Sequence, residues 1–195
     1  VGACDQRQLS GVLSKAIQSG LSAVPLKITI PGYYDREVAY VLHVWLVQHL
    51  GITQYELQRK ANTNFVFEGP MGSFVIQNSF FKDGRKSLFG VGEIPVRCTS
   101  FKYPVFPQTL ITLFGDDQLE IVNGQLYMGA DMVASTFLLL TQWDAALAER
   151  DRLGRIRLDQ SVLGKFGLYQ RALVNEYIAL IRYLLNTIGI PSELK

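Results

Sequence analysis

The stretch from Tyr127 to Tyr177 reads YMGADMVASTFLLLTQWDAALAERDRLGRIRLDQSVLGKFGLYQRALVNEY and contains three pieces. The first, Met132 to Leu147, carries apolar residues around nearly the whole circumference of a helix, as expected for a helix buried on most sides. A segment dense in both signs of charge follows from Glu149 to Arg155, broken by Gly154. Val174 to Tyr177 then stands at the head of the last amphipathic helix. This order predicts two helices joined by a long charged connection.

The same region carries a series of short motifs. They are Gly129-Ala130-Asp131, Gln142-Trp143-Asp144, Arg150-Asp151-Arg152-Leu153-Gly154-Arg155, Ser161 and Val174-Asn175-Glu176-Tyr177, preceded by Ile28-Thr29-Ile30-Pro31, Leu50-Gly51 and Ile76-Gln77-Asn78-Ser79-Phe80-Phe81. In this order the series resembles the uncharacterised domain that precedes the catalytic barrel in a group of bacterial polysaccharide deacetylase-like proteins. The resemblance covers roughly residues 26 to 190. Gln142 stands where that pattern has Arg, and Asn175 where it has Asp, so an ion pair between those positions is not expected here.

The resemblance implies a catalytic neighbour more than an activity of this chain. Deacetylases of that class hold a metal with one Asp and two His separated by three residues, and a second Asp acts as general base. This chain has only His43 and His49, six residues apart, which are expected on different faces of one helix. Asp116-Asp117 resembles the paired catalytic aspartates but is predicted to form a turn between two strands. No catalytic barrel, metal site or cofactor is therefore expected in this chain.

Residues 26–190 are predicted to form a single accessory domain. Residues 1–25 are predicted to be an added helix or linker, with a helical pattern from Asp5 to Gln18, and residues 191–195 the start of a linker to an absent downstream domain. Because Val1 is not a start methionine, the chain is expected to be a fragment of a longer protein. The predicted partner is the downstream deacetylase-like domain, with polysaccharide as a further candidate.

Composition restricts the class of protein. The charged fraction of 18% is below the average of about 25%, and 19 basic against 17 acidic residues give a net charge of +2, so nucleic acid is not an expected partner. Cys4 and Cys98 are predicted to be idle thiols, although Val1-Gly2-Ala3-Cys4 resembles the end of a lipoprotein signal and leaves a lipid anchor as the alternative to a cytoplasmic location. No run reaches the roughly 20 apolar residues that cross a bilayer, since His43, Gln48 and His49 interrupt the longest.

The remaining patterns predict an α+β fold, with a mixed β-sheet flanked by helices and a C-terminal helical hairpin. The predicted strands are Leu26–Ile30, Tyr55–Arg59, Phe65–Glu68, Phe74–Ile76, Thr109–Phe114, Leu119–Val122 and Gln125–Met128. Hairpins are predicted at Gly115-Asp116-Asp117 and Asn123-Gly124. The predicted helices are Asp35–Leu50, with Asp35 as its N-cap and Gly51 closing it, then Asp131–Glu149 and Arg171–Ile188. Residues 82–107 show no period and are predicted to be a long loop or a set of short pieces.

One group of side chains is the candidate site, because a helical hairpin would bring the end of one helix and the start of the next to the same side of the domain. Its members are Trp143, Asp144, Arg150, Asp151, Arg155, Glu176 and Tyr177. A structural clamp, in which the arginines hold a carboxylate and fix the loop, is favoured over ligand binding. An aromatic face beside carboxylates would also suit a sugar ring, although a Trp among leucines is more often part of the core.

The predicted function is a non-catalytic accessory domain in bacterial surface-glycan metabolism, which contacts either glycan or the downstream catalytic domain. Two alternatives remain open. The first is a protein-interaction or assembly module. The second is a small hydrolase that uses a carboxylate pair such as Asp151 and Glu176 as acid and base.

Overall fold

Alternating apolar residues build one face of a mixed sheet. The computed structural model describes residues 25–61, 63–82, 94–104 and 106–192. The strands are β1 (Leu26–Pro31), β2 (Tyr55–Lys60), β3 (Phe65–Gly69), β4 (Gly72–Ile76), β5 (Thr99–Phe101), β6 (Leu110–Thr112), β7 (Gly115–Val122) and β8 (Gln125–Ala130). Six of them form one sheet in the order β2-β1-β3-β4-β8-β7, while β5 and β6 pair separately. The pairs β1–β2 and β4–β8 are parallel, and the other pairs are antiparallel.

The core lies between one face of this sheet and the helices. Ile28, Phe67, Phe74 and Leu126 form a row across four strands, and the Phe67 and Phe74 rings stack with centroids 4.7 Å apart. Because side chains alternate between faces along a strand, Lys27 and its neighbours lie on the other, polar face. The α+β class and the mixed sheet predicted from the sequence are therefore confirmed.

The helices are α1 (Asp35–Leu42), a π-helix (His43–His49), α2 (Met132–Thr141), α3 (Trp143–Leu147), a 3₁₀ turn (Leu158–Gln160), α4 (Val162–Lys165) and α5 (Leu173–Thr187). The predicted helix to Leu50 thus widens after Leu42, where Leu50 N–H donates to the Trp45 carbonyl at 3.1 Å, five residues back. Three consecutive residues of this segment, Val44 to Leu46, are buried. Gly51, with φ 68°, ends this segment as predicted.

Two predicted helix boundaries are wrong. Tyr34, in the left-handed region with φ 58°, is the N-cap of α1, whereas Asp35 is the first helical residue and its carboxylate accepts from Arg59 at 3.2 Å. The predicted helix Asp131–Glu149 breaks at Gln142, which has φ 49°. α2 and α5 do contact each other, but α3, the 3₁₀ turn and α4 lie in the connection between them.

The predicted hairpin at Gly115-Asp116-Asp117 is wrong. Both aspartates lie inside β7, where a register shift between Gly115 and Leu119 bulges the strand against β8. β6 pairs instead with β5, a strand that falls within the segment 82–107, where sequence periodicity gave no strand. The Asn123-Gly124 hairpin is confirmed, with φ values of 52° and 78°. The predicted helix Asp5–Gln18 and Cys4 lie outside the described residues.

Candidate functional site

The seven predicted site residues fall into separate local groups. Trp143 and Asp144 are buried at the start of α3. The Trp143 ring stacks near Phe80 with centroids 6.4 Å apart, and Asp144 accepts a hydrogen bond of 2.9 Å from the backbone N–H of Val162. Asp144 therefore ties the charged connection to α3 through its backbone, so both residues have structural roles in the fold.

The charged loop from Arg150 to Ile156 is fixed by its own residues. Asp151 accepts from the backbone N–H groups of Leu153 and Arg155 at 2.8 and 2.9 Å and from the Arg155 guanidinium at 2.9 Å. The Arg155 backbone N–H is the main cause of a lowered pKa at Asp151. Arg150 in turn donates to the Gly154 carbonyl at 2.8 Å. The loop is thus a self-contained turn that leaves Leu153 74% exposed at its tip.

Glu176 and Tyr177 have partners of their own, far from that loop in sequence. Arg171 donates to both oxygens of Glu176 and also, at 2.9 Å, to the carbonyl of Thr109. Tyr177 is fully buried and its hydroxyl donates to the carbonyl of Ile111 at 2.5 Å. These bonds fasten α5 to the strand β6. Asp151 and Glu176, the hypothetical acid and base, are therefore each engaged by a different arginine.

Tyr177→Phe is expected to lower the free energy of unfolding by about 1–2 kcal/mol near neutral pH, because the Ile111 carbonyl loses its donor. Burial raises the pKa of Tyr177 above the ordinary value of 10.0. Above pH 10 the unfolded chain ionises while the folded chain does not, so the wild type loses stability as pH rises. The difference between wild type and variant should narrow between pH 8 and 11 in urea unfolding curves. A constant difference, like that expected for the exposed Tyr169→Phe control, would contradict this assignment.

A different residue, Asp131, organises the junction where sheet and helices meet. It is fully buried, and its Oδ1 accepts the N–H of Ala134, which caps α2. Its Oδ2 accepts the N–H and hydroxyl of Ser79 at 2.7 and 2.9 Å and the N–H of Phe80 at 3.2 Å. Burial raises the pKa of Asp131, and the hydrogen bonds from Ala134, Ser79 and Phe80 partly oppose that effect. The sequence motif named Asp131 as a helix opening, but not as the anchor of a distant loop.

This junction lies at the carboxyl ends of two parallel strands, β4 and β8. In open sheets that contain parallel strands, ligands commonly bind beyond such ends. β4 leads into Ser79 and Phe80, and β8 leads into Asp131 and α2. Two segments from outside β4 and β8 complete a cleft here. They are residues 94–99, before and within β5, and residues 113–115, which lead from β6 into the start of β7.

The cleft is open to solvent, has a volume of about 310 Å³ and is lined by apolar and polar residues. The lining side chains include Ser79, Phe80, Arg97 and Phe114. Phe80 is held in place by Phe114, with ring centroids 4.7 Å apart, and by Phe81 at 5.1 Å. We call this space the Asp131 cleft, after the carboxylate that fixes its wall. No local pattern in the sequence indicates this cleft, because its walls come from three separate segments, residues 79–80, 94–99 and 113–115.

A family model described as a family of unknown function, DUF7033, matches residues 26–189. The chain belongs to the DUF7033 family. No curated protein and no solved structure matches it. The match spans the whole sheet and every helix named above, so the Asp131 cleft lies inside the DUF7033 domain.

Two further features of the DUF7033 domain bear on metal binding and on membrane spanning. His43 is exposed and His49 half-buried at opposite ends of the π-helix. Within the described ranges, no group of three His, Cys, Asp or Glu side chains is placed to hold a metal ion. In the same part of the chain, no helix combines the length and the apolar character needed to span a bilayer.

Proposed function

We propose that this chain is a non-catalytic accessory domain that acts beside a polysaccharide deacetylase-like catalytic domain in bacterial surface-glycan metabolism. The family name carries no function, so the proposal rests on the resemblance of the motif series and on what the motif residues do in the fold.

The observation that supports it is the use of the motif side chains to satisfy backbone groups. Asp131 caps α2, Asp144 accepts from Val162, and Asp151 accepts from two backbone N–H groups of its own loop. Ser161 accepts from the N–H of Gly164 at 3.0 Å and so caps α4. These acidic and hydroxyl residues are of the types that catalysis uses. In this fold they form helix caps and turns.

The rival hydrolase needs two carboxylates that act on one substrate. Asp151 is on the exposed loop and is held by Arg155, while Glu176 is paired with Arg171 against the carbonyl of Thr109. Asp131, the most deeply buried carboxylate of the three, has four donors on its two oxygens. Each of these carboxylates is therefore already engaged by local donors, which favours the accessory role.

Acetate release from N-acetylated chitooligosaccharides, measured with Zn²⁺ or Co²⁺ supplied, tests the proposal. We expect no release above the protein-free blank for the wild type, Asp151→Asn or Glu176→Gln. Release by the wild type that disappears in Asp151→Asn would overturn the accessory role in favour of the hydrolase.

The gene gives a second, independent test. The reading frame after residue 195 is expected to encode a barrel with an Asp-Asp pair and a His-x-x-x-His motif. A reading frame that continues into an unrelated domain, or stops, would contradict the association with a deacetylase.

A further inference from the structure

The Asp131 cleft is large enough to hold a small molecule. Its volume of about 310 Å³ lies at the lower end of the range of roughly 300–1,000 Å³ that is usual for such sites. It is formed by three separate chain segments, of which the one bearing Ser79 and Phe80 is fastened to a fully buried carboxylate. A wall held in this way keeps its shape without a ligand, which lowers the cost of binding one.

The charge in the cleft is positive. Arg97 is the charged side chain among the lining residues, and it is exposed. Among the residues that the structure describes, no hydrogen bond or ion pair engages its guanidinium. A planar guanidinium presents paired N–H donors that match a carboxylate or phosphate. The cleft is therefore suited to an anionic group near Arg97.

Ser79, a second polar residue of the lining, carries a hydrogen-bond acceptor. Its hydroxyl donates its hydrogen to Asp131 Oδ2 at 2.9 Å, so the hydroxyl oxygen keeps lone pairs that can accept from another donor. Because Asp131 also takes the Ser79 N–H, neither the hydroxyl nor the loop can readily turn away. Phe80 and Phe114, which pack against each other, add apolar surface to the lining.

We propose that the Asp131 cleft binds a small hydroxylated carboxylate, with the carboxylate on Arg97, a ligand hydroxyl donating to Ser79 and the ligand's carbon skeleton against Phe80 and Phe114. The binding site does not depend on the accessory role proposed above. It requires only the cleft geometry, and it is tested by equilibrium binding rather than by acetate release.

The probe is D-glucuronate, a ring that carries one carboxylate and several hydroxyls, titrated into the ¹⁵N-labelled chain and followed by amide shifts. We expect saturable shifts of amides in residues 79–80, 97–99 and 113–115. Three control ligands remove one feature each. D-glucose lacks the charge, cyclohexanecarboxylate lacks the hydroxyls, and inorganic phosphate lacks the ring.

Each control ligand is expected to bind at least about tenfold more weakly than D-glucuronate, since each loses a charge-assisted or neutral hydrogen bond or the apolar contact. If D-glucose binds with the same affinity as D-glucuronate, Arg97 does not recognise the carboxylate. If cyclohexanecarboxylate binds with the same affinity, Ser79 does not recognise a hydroxyl. If phosphate binds with the same affinity, the site recognises only an anion. Any of these results, or shifts confined to other residues, would overturn the proposal.

Arg97→Gln is expected to weaken D-glucuronate binding on the order of 10- to 100-fold, the usual worth of a hydrogen bond to a charged group. Because Arg97 is exposed, the variant should keep the wild-type melting temperature. The matched control is Arg152→Gln, an equally conservative change on the exposed loop around Asp151, which should bind as the wild type does. Equal affinities for both variants would overturn the assignment of Arg97.

Discussion

Replacing Asp131 with alanine is expected to remove roughly 4 kcal/mol or more of the free energy of unfolding. The change removes the acceptor of three backbone N–H groups, those of Ser79, Phe80 and Ala134, and of the Ser79 hydroxyl. The carboxylate that they share is fully buried. An unsatisfied buried donor costs about 1–3 kcal/mol, and the lost cap of α2 is one of these terms. Since domains are stable by only about 5–15 kcal/mol, the loss should be visible as a large fall in the urea midpoint.

Asp131→Asn removes the negative charge of the side chain but keeps its shape. An amide oxygen can still accept from Ser79 and Phe80, but its NH₂ group then faces the N–H of Ala134, so about half of the loss is expected to remain. Asp117→Asn, an exposed aspartate of β7, is the control and should change stability by less than about 0.5 kcal/mol. Trp45 and Trp143 provide the fluorescence signal. An Asp131→Ala variant that unfolds at the midpoint of this control would refute the anchoring role.

The elements that the sequence predicts correctly are those whose conformation depends on residues close together in the chain. The strand β1 follows from strict alternation, and the β7–β8 hairpin follows from Asn123-Gly124, a pair that tolerates the left-handed region. The last helix was predicted to within two residues at each end because its apolar face repeats at the helical period. In each case, residues within one element or one turn determine its conformation.

The junction around Asp131 depends instead on contacts between distant residues. Ser79 and Asp131 are 52 positions apart, and the parallel pairing of β4 with β8 that brings them together has no periodic signature in either strand. A buried aspartate before a helix looks the same in the sequence whether it caps that helix alone or also anchors a second loop. The cleft could not be predicted for the same reason.

The candidate cluster assumed one continuous helix from Asp131 to Glu149. Gln142 adopts the left-handed region and ends α2 early, so Trp143 and Asp144 turn inward, where Asp144 meets Val162. A glutamine carries no local signal for this conformation, unlike glycine or asparagine. In the structure the residues of the candidate cluster bond to different partners, with Asp144 on Val162, Asp151 on Arg155, and Glu176 and Tyr177 on Arg171 and Ile111.

Gly115→Ala is expected to destabilise the protein by roughly 2–5 kcal/mol. Gly115 has φ 85°, and a Cβ placed on it would overlap the carbonyl oxygen of Gly129 and come within 2.6 Å of the backbone N of Asp131. Both of these are backbone atoms at the end of β8, and the Asp131 N–H is bonded to the Phe114 carbonyl at 3.0 Å. The neighbours cannot move aside without breaking this bond. The expected loss sums about 1–2 kcal/mol for a left-handed alanine and about 1–3 kcal/mol for overpacking.

Two matched glycine variants separate the conformational cost of a left-handed alanine from the steric cost of its Cβ. Gly124 has φ 78° with open space around its Cβ position, so Gly124→Ala should show the conformational cost alone, about 1–2 kcal/mol. At Gly129 the nearest atoms belong to the exposed side chain of Asp116. Asp116→Ala removes them and leaves the Gln118 Cβ at 3.0 Å, so Gly129→Ala combined with Asp116→Ala should lose less stability than Gly115→Ala. Thermal and urea unfolding of the three variants should therefore rank Gly115→Ala as the least stable. If Gly115→Ala loses no more stability than Gly124→Ala, the close approach of β7 to the start of α2 is absent in solution, and with it the geometry that closes the Asp131 cleft beside Gly115.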